Sequence, residues 1–433
     1  MNILKSKSLH LLCVRIIGAV AVLLANIVIL KIESGDLAGL FLVAYTIFQI
    51  SAVIARFGSD IHLVRNYYKQ SSETVQDCFN QSVVVSLLMG SILSPITYFL
   101  GDFYVQHWSS LSSASSDHSS ILLIFILIPV FSAANTVFFI YQARHKTVTQ
   151  ILGINVIQPW AFLAFYLAIK LATHLDFLSL APDTTIVVSF YASILIYLII
   201  SVVFARKANM TWAPISALSK KPLNKILASQ LKYASATIGT QLVGWLPYLL
   251  ASLLLGASFA SVFNILQRLA MLSTFISVSI NSISAPRFSE LASRSDYRAI
   301  KKIFWSNTKK LTSFSCIYLV SLLALVRFSE QIPESFHVAC YIVLLGFFVN
   351  CSTSVCGYYY QNASNIHHLN VALYLTVALS PFVTYWLLGG WGTLGAAVAI
   401  GSTIACVNVI LFPLATLDLN RRTSTNVISS TQS

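Results

Sequence analysis

Charged residues are scarce in this chain of 433 residues: they occupy 9% of the positions, whereas hydrophobic residues occupy 57%. In a typical soluble domain about a quarter of the residues are charged. The composition therefore excludes a soluble globular protein and indicates a chain that crosses a membrane many times.

Acidic residues are especially few, with 14 Asp and Glu against 27 Lys and Arg and a net charge of +13. Such a charge can indicate nucleic-acid binding, but its distribution argues otherwise. With the N-terminus in the cytoplasm, 22 of the 27 basic residues fall in cytoplasmic segments or at cytoplasmic span ends. This bias sets the orientation by the positive-inside rule, with both termini cytoplasmic, and requires no nucleic acid.

Apolar stretches of about 20 residues recur along the chain, each long enough to cross a hydrocarbon core near 30 Å. They predict an all-α integral membrane protein with about 12 transmembrane helices. The predicted spans are residues 9–30, 37–57, 80–101, 120–142, 149–170, 185–205, 234–255, 260–284, 308–326, 337–359, 370–389 and 393–414.

Cysteine motifs are missing: the seven cysteines form no CxxC pair and no Cys/His cluster. A disulfide framework and a zinc site are therefore not indicated. His367 and His368 adjoin each other in a predicted inner loop without further ligands. We expect no metal and no cofactor. The predicted outer loops are short and leave no domain for a catalytic centre, so we do not expect an enzyme.

The longest break between spans, residues 207–233, contains Pro214, Pro222 and four lysines between residues 220 and 232. Six spans precede it and six follow, so both halves start on the cytoplasmic side, as in a parallel repeat. We predict two six-helix lobes around a central cavity. The predicted parts are an N-terminal lobe (1–206), a cytoplasmic linker with an amphipathic helix (207–233), a C-terminal lobe (234–420) and a cytoplasmic tail (421–433).

Two cytoplasmic connections combine apolar and basic residues as interfacial helices do. In residues 222–234 four aliphatic residues fall on one helical face, and in residues 298–310 apolar residues alternate with basic ones. Basic amphipathic helices bind anionic headgroups, so membrane lipids are expected partners. Each segment is either a topological anchor or an arm that captures cargo.

Polar side chains recur on single helical faces of the first two spans in each half. Such stripes are unfavourable against lipid, so they are expected to face a shared interior. In span eight Asn264 lies one helical turn before Arg268. The candidate substrate-binding residues are Arg15, Asn26, Gln49, Arg56, Gln241, Trp245, Asn264 and Arg268.

Arg268 is the most informative of these residues because a charge at mid-span costs about 2.5–3.5 kcal/mol or more. The span assignment places no Asp or Glu deep in the membrane. Arg268 is therefore expected either to hydrogen-bond to backbone and amide oxygens or to bind an anionic substrate transiently. For Arg15 and Arg56, snorkelling to the inner interface is an equal alternative. Cations without carboxylates favour an anionic cargo.

Residues 29–65 resemble the first hairpin of the Wzx-type polysaccharide flippases. The matching residues are Gly35, Asp36, Gly39, Phe41, Phe57, Gly58 and Arg65. The second half is similar to the seventh and eighth helices of that family, through Phe263, Arg268, Leu269 and Pro286. Many relatives carry an aspartate in the seventh span, but "GWLPYLLASLLL" has none, which puts acid-dependent ion coupling there in doubt.

The resemblance implies membership of the multidrug/oligosaccharidyl-lipid/polysaccharide (MOP) superfamily, whose two lobes alternate between the sides of the membrane. Wzx-type members move undecaprenyl-pyrophosphate-linked oligosaccharides, such as O-antigen units, to the outer leaflet of the bacterial inner membrane. Arginines would bind the pyrophosphate, and Asn, Gln and Trp would face the sugars. The implied partners include the polymerase and the chain-length regulator of the same pathway.

Three other functions remain open. A cation-coupled multidrug exporter of the same superfamily would need a carboxylate in the bundle, and none is evident. A membrane oligosaccharide polymerase would be expected to have a large outer loop with basic residues. A lipid-linked peptidoglycan-precursor flippase normally has two additional spans.

Overall fold

The computed structural model describes residues 2–33, 35–69, 72–111, 119–211, 223–328 and 334–431. Within these ranges some helical side chains are not described, among them all those of residues 256–269. The regular elements of the described ranges are all helical. The α-helices are α1 (Asn2–Ile32), α2 (Gly35–Ala55), α3 (Ser59–Asn66), α4 (Ser72–Leu111), α5 (Ile128–Ala143), α6 (Thr147–Leu152), α7 (Gln158–His174), α8 (Pro182–Lys207), α9 (Leu223–Ser293), α10 (Tyr297–Phe328), α11 (Glu334–Thr353), α12 (Val355–Asn362) and α13 (Ile366–Thr431).

The helices confirm the predicted all-α membrane class. Among the described residues, seven helices are long and apolar enough to cross a membrane, or eight if α2 and α3 form one bent span. Helix α13 contains the last two predicted spans, which are separated at Gly392 by a non-helical backbone with φ 54° and ψ −126°. The predicted spans outside this count lie in α1 and α9, whose side chains are described only in part.

The fourth and fifth predicted spans are less regular than expected, and the tenth is interrupted at Ser354, between α11 and α12. The fourth begins as a 3₁₀ helix, Ser119–Leu127, and becomes α-helical at Ile128, next to Pro129. The fifth consists of α6, a π-helical turn at Gly153–Ile157, and α7, whose first turn contains Pro159. Proline lacks the backbone N–H that a regular helix uses, so both changes of helix type lie beside a proline.

Residues Met1–Ala234 form one compact unit. Its core is largely aromatic: the ring of Phe48 lies 5.2 Å from that of Phe131 and 5.0 Å from that of Phe190, measured between centroids. Aromatic edge-to-face packing of this kind adds to the stabilisation from burial. Because the unit extends to Ala234, the first turns of α9, which the sequence places in the inter-lobe linker, pack with the N-terminal helices.

Residues Ser235–Ser433 form a second compact unit. Helices α11 and α13 approach closely, because a Cβ built on Gly346 would overlap the backbone of Gly401. Glycine at this contact allows the two backbones to touch, as small residues do where membrane helices pack. Helix α13 continues to Thr431, through residues that the sequence assigns to a cytoplasmic tail.

A left-handed turn joins α2 to α3 and receives the start of α9. Phe57 has φ 49° and Gly58 has φ 73°, and a Cβ on Gly58 would overlap the backbone of Tyr233 and Ala234. The next residue, Ser59, is fully buried and donates its hydroxyl to Gln230 Oε1 at 2.8 Å. Glycine at position 58 therefore lets the linker helix dock.

We expect Gly58→Ala to lower the free energy of unfolding by about 2–5 kcal/mol. The left-handed conformation accounts for about 1–2 kcal/mol, and crowding against the Tyr233 backbone for about 1–3 kcal/mol. Thermal unfolding in detergent would measure the loss. The control is Gly357→Ala in α12, where nothing lies within 4 Å of the added Cβ. Equal stability of the two variants would contradict the docking role of Gly58.

Candidate functional site

Arg56 is a buried cation at the end of α2, with 7% of its surface exposed. Its Nη2 lies 3.6 Å from Asp60 Oδ2, which is too long for a hydrogen bond. Its Cζ lies 5.3 Å from the centroid of the Phe139 ring, within the range of a cation–π contact. Within the described part of the chain, Arg56 Nε is buried and has no hydrogen-bond acceptor.

The turn between α2 and α3 positions both charges. Asp60 lies in the first turn of α3, where its Oδ1 accepts a hydrogen bond from Ile61 N at 2.9 Å. A carboxylate in this position also interacts favourably with the helix dipole. Asp60 thus divides its charge between the helix start and the guanidinium of Arg56. The sequence predicted that the candidate arginines have no carboxylate nearby. For Arg56 this is wrong, because Asp60 lies 3.6 Å away.

The other N-terminal candidates are only partly visible. Arg15 is buried in α1, and Gln49 is half-buried on α2. Tyr45 lies on the same side of α2 as Gln49, one helical turn before it. Its hydroxyl donates to Gln158 Oε1 of α7 at 3.4 Å, so this side of α2 packs towards α7. Asn26 lies on α1, but its side chain is outside the described residues.

The C-terminal candidates lie on α9. Trp245 is half-buried and contacts Tyr248 edge-to-face, with 6.3 Å between the ring centroids, and both belong to the core of the second unit. Gln241 is half-buried one turn earlier. The side chains of Asn264 and Arg268 are outside the described residues, so their predicted role stays a prediction.

A set of buried polar pairs lies inside the first unit, on spans that the sequence did not single out. Tyr197 OH donates to Asn135 Oδ1 at 2.7 Å, and the hydroxyls of Ser86 and Thr136 lie 2.9 Å apart. Hydrogen-bonded partners satisfy these groups internally, as buried polar groups require. The sequence could not predict the hydrogen bond between Tyr197 and Asn135, because the two residues lie on different helices, 62 positions apart.

Two carboxylates near the ends of helices, Glu33 and Asp418, are engaged by partners. Glu33 has 9% of its surface exposed and lies 2.7 Å from Lys170 Nζ, and it accepts a hydrogen bond from Tyr166 OH at 2.5 Å. Asp418 on α13 accepts hydrogen bonds from Tyr359, Ser364 and Arg422 at 2.6–2.8 Å. Of these contacts, only the Asp418–Arg422 pair could have been predicted from the sequence, through its i, i+4 spacing on one helix.

A short sequence that directly follows α2 recurs near the end of α9. "RFGSD" at residues 56–60 corresponds to "RFSE" at residues 287–290. The serine of each is buried and bonds to an amide side chain: Ser59 to Gln230 at 2.8 Å and Ser289 to Asn362 at 3.4 Å. This correspondence adds to the expectation of a parallel repeat, and sequence reasoning missed it.

No group of three or more His, Cys, Asp or Glu side chains within the described residues could hold a metal ion. Among the described candidates, Arg15 and Arg56 are buried cations in the first unit. Gln49 is half-buried in the first unit, and Gln241 and Trp245 are half-buried in the second. Such groups can bind an anion and the hydroxyl groups of sugars through hydrogen bonds and ring contacts.

Comparison of the sequence with protein-family models and with curated proteins finds no match. Solved structures of the same fold do match. One is described as the outward-facing conformation of a multidrug resistance MATE family transporter of the MOP superfamily; it has a TM-score of 0.72 and 13% identity and covers 97% of this chain and 96% of its own. A MATE structure in complex with MaL6 has a TM-score of 0.68 and 11% identity, covering 97% of each chain.

A third structure is a MOP superfamily transporter from Pyrococcus furiosus, with a TM-score of 0.72 and 13% identity over 97% of each chain. It is described as having a binding pocket of reverse polarity that suggests a different function. All three are described as MATE or MOP proteins, and the two named as transporters are not enzymes. This chain therefore has the fold of the MATE transporters of the MOP superfamily.

Proposed function

We propose that the protein is a flippase for undecaprenyl-pyrophosphate-linked oligosaccharides, the units of O-antigen or a similar surface polysaccharide. It would work by alternating access in the bacterial inner membrane, with both termini in the cytoplasm. The fold of the MOP transporters and the resemblance of residues 29–65 to Wzx-type flippases support the proposal. The polymerase and chain-length regulator of the pathway are proposed partners.

The observation that carries the proposal is the unfilled hydrogen-bonding capacity of Arg56. Its Nε is buried without an acceptor among the described residues, and its nearest carboxylate oxygen lies 3.6 Å away. A buried guanidinium is stable only when its donors are satisfied. A pyrophosphate offers paired oxygens that match the fork of an arginine side chain.

Arg56 lies at the end of α2 that the charge bias assigns to the cytoplasmic side. A lipid-linked pyrophosphate resides in the headgroup layer of the inner leaflet before transport, so it would meet Arg56 at this level. Arg15 and Arg268 would bind the anion further along its path. Asn26, Gln49, Gln241, Trp245 and Asn264 would contact the sugars.

The membrane potential would favour this direction of transport. Moving an anion out of a negative interior is favourable by roughly 2.3 kcal/mol per charge for each 100 mV. A pyrophosphate headgroup carries more than one negative charge, so the potential supplies part of the driving force in this proposal.

A cation-coupled multidrug exporter is the second candidate, because a solved structure with this fold is described as a multidrug resistance transporter. An exporter of cations would use a buried carboxylate to bind the proton or cargo. Among the described residues, Glu33 is held by Lys170 and Tyr166, and Asp60 by Ile61 and Arg56. The description of the Pyrococcus furiosus transporter links the reverse polarity of its binding pocket to a different function, so the fold by itself does not decide between the two candidates.

Reconstitution into proteoliposomes would distinguish the two candidates. We expect the protein to move a fluorescently labelled undecaprenyl-pyrophosphate oligosaccharide between leaflets. A membrane-impermeant reductant bleaches only the label in the outer leaflet, so movement is measured as a decrease in the fluorescence that is protected from the reductant. Imposing a potential that is negative on the starting side should accelerate the movement. We expect no uptake of ethidium under a proton or sodium gradient. Gradient-driven ethidium transport without movement of the lipid-linked sugar would overturn the proposal.

A further inference from the structure

The first turns of α10 present exposed lysines beside an exposed tryptophan. Lys302, Trp305 and Lys309 are all exposed, and their i, i+3, i+7 spacing places them on one side of the helix. We call these three residues the basic face. On the opposite side, Ile300, Phe304 and Leu311 are fully buried. The apolar side of α10 therefore packs against the second unit, and the basic face is not covered by that unit.

The charges of the basic face are not neutralised within the described part of the chain, where neither Lys302 nor Lys309 forms an ion pair. The tryptophan is held in place: its ring contacts that of Phe412 of α13 edge-to-face, with 5.9 Å between centroids, while 39% of its surface stays exposed. A fixed, half-exposed indole between two unpaired ammonium groups is a site that suits a ligand with both apolar and anionic parts.

The level of the basic face in the membrane follows from the length of α10. Counting about 20 residues back from Phe328, the end of the helix, places Lys309 at the edge of the hydrocarbon core. At about 1.5 Å per residue, Trp305 and Lys302 then lie roughly 6 and 10 Å further out. This is the headgroup layer, which is about 5–8 Å thick on each side, extended by the reach of a lysine side chain.

The third spans of the two halves, α4 and α10, differ in the charge of their first turns. Helix α4 is the third span of the first half, as α10 is of the second, and its 40 residues include no lysine or arginine. Its first turns contain Glu73 and Asp77 instead. Lysines within the first turns therefore distinguish α10 from the third span of the first half.

We propose that the basic face binds the phosphate group of an anionic phospholipid, with the indole of Trp305 against its glycerol and upper acyl region. Lysines close to an anionic membrane surface each contribute about 1 kcal/mol, or about fivefold in affinity. Tryptophan is the aromatic residue most suited to this depth. The inference does not depend on the identity of the transported cargo.

Native mass spectrometry of the full-length protein tests the proposal, with dioctanoyl phosphatidylglycerol as the probe and dioctanoyl phosphatidylcholine as the neutral comparison. We expect K302Q/K309Q to weaken phosphatidylglycerol binding about 25-fold, from about fivefold for each lysine. The matched control is R206Q/K207Q, which removes the same charge from two exposed residues at the end of α8, away from the basic face, and should change binding less than twofold. Phosphatidylcholine binding should not change in either variant.

Equal loss in both double variants would show a diffuse charge effect and would overturn the site. So would displacement of phosphatidylglycerol by an equal concentration of inorganic pyrophosphate, which would reassign the lysines to a free phosphate ligand. A second measurement uses nanodiscs containing brominated phosphatidylglycerol. The quenching lost in W305F relative to wild type should exceed that seen with brominated phosphatidylcholine, and equal quenching would contradict a specific anionic lipid.

Discussion

Replacing Arg56 with alanine is expected to lower the transport of lipid-linked oligosaccharide by about 10- to 150-fold. The estimate follows from the loss of a hydrogen bond to a charged group, which contributes about 1.5–3 kcal/mol. The protein should stay folded, because Arg56 makes no hydrogen bond among the described residues and lies 3.6 Å from Asp60. The leaflet-exchange rate in proteoliposomes measures the effect, and size-exclusion chromatography verifies the fold.

Asp60→Asn is the matched control for this result. If Arg56 acts only as the structural partner of Asp60, removing either charge should be equally harmful. If Arg56 binds the pyrophosphate, Asp60→Asn should retain transport, because it frees the guanidinium from a competing carboxylate. Arg56→Lys should lie between wild type and alanine, since lysine keeps the charge but loses the bidentate geometry. Equal loss in Arg56→Ala and Asp60→Asn would remove Arg56 from the cargo site.

Replacing Arg268 with alanine is expected to abolish surface polysaccharide in a complemented deletion strain while the protein still inserts. A guanidinium inside an apolar span costs about 2.5–3.5 kcal/mol or more, and the span 260–284 contains no carboxylate to offset the charge. Removing the charge should therefore favour insertion and harm only a function that needs the cation. Arg268→Lys should restore part of the polymer.

The control for Arg268 is Arg294→Ala, which removes the same side chain directly after the end of α9. Arg294 is exposed and forms a surface ion pair with Glu290 at 2.9 Å, and such pairs contribute little to stability. We expect nearly normal polymer in this variant, measured by gel electrophoresis of the surface polysaccharide at matched protein levels in the membrane. Normal polymer in the Arg268→Ala strain would show that the cargo does not need this arginine.

Much of the helical architecture was predictable because hydropathy and helix breaks are local properties. Apolar stretches of span length lie in helices throughout, and the boundary between the last two predicted spans falls at Gly392. The changes of helix type near Pro129 and Pro159 were not anticipated. A proline indicates that the helix is disturbed locally, but whether a 3₁₀ or a π turn forms depends on the neighbouring helices. In the π turn, for example, a Cβ on Gly153 would overlap the ring of Phe138.

The candidate site was predictable only in part. Composition and position along a span identified Arg56 as a cation in an apolar setting, and the structure places it in the interior of its unit. Its contact with Phe139, 83 residues away in sequence, was invisible, and so was the weak pairing with Asp60 across a left-handed turn. For Arg268 and Asn264 the sequence remains the source of the prediction.

The sequence by itself determined that this protein is a helical membrane protein, because transfer free energies add residue by residue; that its positive charge lies on one side stays a prediction. It also determined that cations would lie within apolar spans. Only the tertiary structure decided which polar groups satisfy one another, as Ser59 does with Gln230 and Tyr359 with Asp418. Such pairs depend on which helices become neighbours, and the energy of a buried polar group is set by the partner that packing brings to it.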